Sequence, residues 1–141
     1  MGKPLLLDVN ALVALGWPNH QFHRRIRDRL EQKPNPDWAT CALTQLGFVR
    51  ISANPAAVGQ TMLPRHAASQ LAALTSDIHH RYLGDSIPPA AKQRLFDPLV
   101  GHGQVTDAYL VGLAVDQGCT LLTFDRRIAA IPTDSSVVEC L

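Results

Sequence analysis

The sequence predicts an α/β domain whose sheet is mainly parallel and covered by helices on both faces. Three observations lead there. Short apolar runs without polar alternation suit strands buried on both sides. Stretches of helical periodicity separate these runs, the alternation that generates parallel sheets. The first and last confident runs, Leu5-Leu6-Leu7 and Thr120-Leu121-Leu122-Thr123-Phe124, are each followed at once by an aspartate, Asp8 and Asp125.

Taken in order, Pro4 to Leu7 is the first strand, and Asn10 to Leu15 begins a helix broken near Gly16-Trp17-Pro18. From His20 to Lys33 a second helix shows Phe22, Ile26 and Leu30 at four-residue spacing, one apolar stripe on a face otherwise crowded with arginine. Asp37-Trp38-Ala39-Thr40 reads as the next strand. Leu43, Leu46, Phe48 and Val49 open a helix that Asn54-Pro55 stops, because the residue before proline is pushed out of the α region. Residues 65–75 read as helix and 79–83 as a strand, and Pro88-Pro89 can start a helix through Phe96. After the loop Gly101-His102-Gly103, Thr106 or Asp107 caps a helix bearing Ala108, Val111 and Val115 and ended by Gly118. The stretch beyond Ala130 has no firm assignment. No repeat, linker or low-complexity tract divides the 141 residues, so residues 1–141 are expected to form one domain.

Composition narrows the function. The net charge of +1 gives no global field towards nucleic acid and weighs against a protein that only binds it through many phosphate contacts. The acidic side is lopsided, with ten Asp against two Glu, Glu31 and Glu139. Cys41, Cys119 and Cys140 are scattered and form no paired spacing, which argues against a disulfide framework or a zinc site and fits a reducing cytoplasm. No signal-peptide pattern or membrane-length apolar run is present, so a cytoplasmic protein is expected.

In open parallel sheets ligands bind beyond the carboxyl ends of the strands, at the switch point. Asp8 and Asp125 stand at that edge, and Asp107, at a helix start, can approach it. Two carboxylates ~4 Å apart repel by ~4 kcal/mol at an effective dielectric of ~20. A cluster of three therefore raises a pKa or binds a cation, and oxygen ligands of this kind favour Mg²⁺ or Mn²⁺. Metal-assisted phosphodiester hydrolysis is the reaction class that follows. Asp8 or Asp107 taken singly is equally well a helix cap.

The segments Leu6-Leu7-Asp8-Val9-Asn10, Val105-Thr106-Asp107-Ala108-Tyr109-Leu110 and Leu122-Thr123-Phe124-Asp125-Arg126-Arg127 resemble PIN-domain nucleases, and within them the VapC-type toxins. The stretch from Trp38 to Arg50 resembles the second block of that family. The resemblance implies a three-layer α/β/α fold, divalent-metal ribonuclease activity on an RNA substrate, a homodimer, and inhibition by a small cognate antitoxin. It also implies that Asp8 and Asp107 are the principal metal ligands, with Asp125 a third, direct or through water. Asn10 would bond Asp8 or a water, and Thr123 would support the Asp125 loop. One departure stands out. The family carries a Glu in the middle block where this chain has Gln45, which by position is a candidate to line the site but is a neutral amide that cannot act as a base.

A receiver domain would need a lysine after a late strand, and Lys3, Lys33 and Lys92 do not supply it. A haloacid-dehalogenase-type phosphatase would want an Asp two residues after Asp8, where Asn10 stands. The alternative that Gln45 favours is a catalytically weak PIN domain serving as an RNA- or partner-binding module. Arg24, Arg25, Arg27 and Arg29 read as the wet face of their helix, with Arg126 and Arg127 closer to the acidic edge.

Overall fold

The computed structural model describes residues 2–84, 87–131 and 137–141. Its strands are β1 (Leu5–Leu7), β2 (Trp38–Cys41), β3 (His80–Leu83), β4 (Thr120–Thr123) and β5 (Val138–Cys140). They form one sheet in the order β3-β2-β1-β4-β5, with every neighbouring pair parallel. The helices are α1 (Val9–Gly16), α2 (His23–Glu31), α3 (Ala42–Ser52), α4 (Pro55–Val58), α5 (Pro64–Leu74), α6 (Val105–Gln117) and α7 (Arg126–Ala129).

The two-residue period of a strand explains the three layers. Leu5 and Leu7 of β1 pack into a cluster with Leu12, Trp17, Ile26, Phe48 and Leu71, from α1, α2, α3, α5 and the α1 end. Leu6, between them, joins the opposite cluster with Leu110, Leu113 and Ala114 of α6 and Ile128 of α7. β4 divides likewise, Leu122 to the first cluster and Leu121 to the second. A continuous apolar run is therefore what a central strand between two helical layers requires.

α1 and α3 meet closely enough to demand glycine on both. A Cβ on Gly16 would come within 2.5 Å of the Phe48 ring, and one on Gly47 within 2.6 Å of Val9 Cγ2. At the same junction the Trp17 indole N–H donates to Ser52 Oγ at 2.9 Å, which satisfies both buried polar groups. α3 is thereby fixed against the helix that follows β1.

Four sequence expectations change. The helix expected through Phe96 is instead two single 3₁₀ turns, Pro89–Ala91 and Gln93–Phe96, interrupted at Lys92 with φ −125° and ψ 46°. Pro88 and Pro89 have no N–H to give, and the lone turns that follow lack the run of bonds a full helix needs. α6 starts at Val105 after a 3₁₀ turn over His102–Gln104, so neither Thr106 nor Asp107 is its cap, and Asp107 lies inside the first turn. Asn54, expected only as a stop, also caps α4 by accepting from the Ala56 N–H. β5 supplies an edge strand beyond Ala130, where no element was assigned from sequence. The arginine-rich face of α2 is laced with carboxylates, as Arg27 to Glu31 and Arg29 to Glu139.

Gly47→Leu is expected to destabilise the fold by about 1–3 kcal/mol through overpacking against Val9. Gly103→Ala, whose added carbon would meet nothing, should leave the urea midpoint unchanged. Equal midpoints for the two variants would show that α1 and α3 can separate without cost.

Candidate active site

Strand order reverses across β1 and β4. Chain leaving β1 runs to β2 on one side, whereas β4 lies on the other, so the carboxyl ends of these two strands flank the switch point. Asp8 follows β1 directly and is the N-cap of α1, its Oδ1 accepting from the Ala11 N–H at 2.7 Å. The Thr123 hydroxyl, at the end of β4, donates to Asp8 Oδ2 at 2.6 Å, and Thr123 Oγ1 accepts from the Asp125 N–H at 2.9 Å. One hydroxyl therefore ties both strand ends together and orients the turn that carries Asp125. The helix-cap reading of Asp8 holds through Oδ1, and the same residue also lines the cavity that Asp107 and Asp125 share.

Asp8, Asp107 and Asp125 line one cavity of about 340 Å³ with Asn10 at its rim. Topology thus gathers side chains drawn from the β1–α1 junction, the first turn of α6 and the cap of α7. Asn10 bonds neither oxygen of Asp8, both of which are taken by Ala11 and Thr123.

Gln45 does not line this cavity. Its side-chain amide donates to Thr40 Oγ1 at 2.9 Å, and that hydroxyl also contacts His80 Nε2 at 2.8 Å. Helical geometry accounts for the difference. At about 100° per residue, Leu43, Leu46, Gly47 and Arg50 share one face of α3, and Gln45 lies about 200° round from Leu43. Those four residues, not Gln45, line the acidic cavity. The i, i+3, i+4, i+7 spacing was the signal in the sequence that could have selected them. A larger apolar cavity of about 590 Å³ adjoins the first and shares Leu43, Leu46 and Thr106 with it.

The electrostatics of the three acids differ. Asp8 is 3% exposed, and burial raises its pKa to about 6, against the lowering effect of its two hydrogen bonds; Asp107 and Asp125 add repulsion. Asp107 is also held above its ordinary value, first by burial and then by the charge of Asp125. Asp125 moves the other way. Arg127 binds its carboxylate through Nε and Nη2 at 3.0 and 2.8 Å, which keeps it ionised.

The cavity is therefore short of positive charge at Asp8 and Asp107, and its donors are hard carboxylate oxygens. That chemistry fits a divalent ion of the Mg²⁺ class. Among the described residues no three His, Cys, Asp or Glu side chains are arranged to enclose an ion by themselves. The fit is to an ion held by one or two carboxylates with water completing its shell, the habit of Mg²⁺.

Comparison with known proteins agrees with the geometry. The PIN domain family matches residues 5–133. The chain is 41% identical over 127 residues to Ribonuclease VapC39 of Mycobacterium tuberculosis (strain ATCC 25618 / H37Rv), covering 88% of this chain and 90% of that protein. It is 44% identical over 127 residues to Ribonuclease VapC38 of the same strain, covering 87% and 86%. With that strain's Ribonuclease VapC44 the identity is 37% over 134 residues, covering 90% and 91%. No helix among the described residues is long and apolar enough to cross a membrane.

A carboxyl group that holds its proton more tightly when folded than when unfolded costs stability once ionised. For Asp8 that cost is absent below about pH 4 and fully developed above about pH 6, on the order of 2–3 kcal/mol. In chelator, the Tm of the parent should therefore fall as pH rises through this window, and Asp8→Asn should flatten the fall. A parent and variant with parallel pH profiles would show that Asp8 ionises freely.

Proposed function

The chain belongs to the PIN-domain family, and from that premise we propose that it is the ribonuclease toxin of a VapBC-type toxin–antitoxin pair. The observation that carries the reading is the meeting of Asp8, Asp107 and Asp125 in one cavity at the switch point, two of them with raised proton affinity. The reaction is hydrolysis of an RNA phosphodiester bond. Asp8 and Asp107 are the principal ligands of a Mg²⁺ or Mn²⁺ ion. Asp125, steadied by Arg127 and Thr123, is the third acid, facing the ion directly or through water. When bound, the ion supplies Lewis-acid polarisation of the phosphate and of the attacking water.

The protein's own part is placement. Thr123 and the Ala11 N–H hold Asp8 in one rotamer, and the first turn of α6 holds Asp107 beside it. Gln45, bonded to Thr40, is not among the ligands in this reading. Its amide favours a second reading, a PIN domain with three carboxylates and little activity that binds RNA or a partner. In the first reading the toxin acts in the cytoplasm as a homodimer and is silenced by a small cognate antitoxin.

Purified protein is expected to cut RNA with Mg²⁺ or Mn²⁺ and to stop in EDTA. Asp8→Asn and Asp107→Asn should each lower the rate by roughly 100-fold or more, the scale of losing several kcal/mol of charge stabilisation. Variants that cut as fast as a contaminant-free parent would end the nuclease reading. A parent that binds RNA but does not cut it would select the second reading.

A further inference from the structure

We propose that Arg50 is a phosphate-positioning residue, its guanidinium gripping the non-bridging oxygens of the RNA phosphate held at the acidic cavity. The inference rests on the nuclease reading and assigns a role to a residue outside the carboxylate set. Arg50 is the only cationic residue among the described residues lining that cavity. It is exposed, and among the described residues its side chain enters no ion pair or hydrogen bond. Of Arg126 and Arg127, the arginines that follow Asp125, Arg126 does not line the cavity and Arg127 is already committed to Asp125.

A guanidinium beside three acids would ordinarily settle on one of them. Here Asp8 has both oxygens occupied by Thr123 and Ala11, Asp125 has Arg127, and the arginine whose charge reaches Asp107 is Arg127 as well. Arg50 is thus left with its donors free at the mouth of a site built for an anion–metal encounter. Its place on α3 is fixed by Gly47, about one turn earlier on the same face, which packs against Val9 at the start of α1. A cation in the last turn of a helix also complements the helix dipole, but that role does not require this face.

The chemistry needs such a group. Water adds its oxygen to phosphorus while the bond from phosphorus to one bridging ribose oxygen breaks. The water gives up a proton, the departing oxygen ends as a hydroxyl, and no electrons are transferred. Negative charge on the non-bridging oxygens must be matched throughout, and carboxylates cannot do it. Arg offers two parallel N–H donors in a rigid fork that fits two phosphate oxygens, whereas Lys is a point charge.

The test compares Arg50→Gln and Arg50→Lys with the parent, after confirming equal Tm and equal Mn²⁺ affinity by calorimetry. Binding of a fluorescein-labelled single-stranded RNA is measured by anisotropy across a KCl series with Mg²⁺, on an Asp107→Asn background to prevent cutting. Arg50→Gln should reduce the slope of log affinity against log salt by about 0.7, one phosphate contact on a single strand. With Asp107 restored, its kcat should fall roughly 10- to 100-fold. Arg50→Lys should keep the slope and recover only part of kcat. An unchanged slope, absent RNA binding, or a reduced slope with parental kcat overturns the proposal. So does loss of Mn²⁺ affinity in Arg50→Gln, which would make the residue structural. An active parent with an equally active Arg50→Gln defeats this inference alone, while Asp8→Asn cutting like the parent defeats the nuclease reading beneath it.

Discussion

The buried carboxylate of Asp8 constrains everything around it. A charge with 3% exposure is costly unless its oxygens are satisfied, and here the satisfaction is local. One oxygen starts a helix by accepting from Ala11, and the other accepts from Thr123 across the sheet. Hydrogen bonds to the ionised form lower the pKa, yet burial and two neighbouring acids outweigh them. The remaining imbalance is what a bound cation would relieve. The same residue thus begins α1 and couples β1 to β4.

That carboxylate sits at a fixed place, and the surrounding helices bring the other acids to the same cavity. α6 brings Asp107 inside its first turn, where the positive end of the helix dipole moderates a carboxylate. α7 brings Asp125 as its cap, with Arg127 two residues on holding the same group. α3 arrives by a different route. Its approach to α1 is set by Gly16 and Gly47, two positions where a side chain would collide, and by the Trp17–Ser52 hydrogen bond. The face it turns towards the acids is then apolar for one turn and ends in Arg50.

Gln45 shows where motif reasoning and helical geometry part. Position within a familiar block suggested a site residue, since the family has a carboxylate there. In the fold the amide belongs to a polar group under β2 and β3, with Thr40 and His80. Hydrogen-bonding capacity decided this. Thr40 is fully buried, and an amide N–H on the adjacent helix is well placed to satisfy it.

The sequence by itself pointed to the parallel sheet, because short apolar runs without polar alternation, separated by stretches of helical period, suit strands buried on both faces. It also placed Asp8 and Asp125 at one edge, since Asp8 follows β1 directly and Asp125 follows β4 with only Phe124 between. The edge strand β5 depended on pairing with β4, which local pattern does not encode, whereas the 3₁₀ turns before α6 rest on bonds within four residues that the sequence reading missed. Spacing along α3 groups Leu43, Leu46, Gly47 and Arg50 on one face, and tertiary structure decided that this face meets the acids. That choice is made by a helix–helix contact between residues 9 and 47, where the absence of a side chain sets the distance.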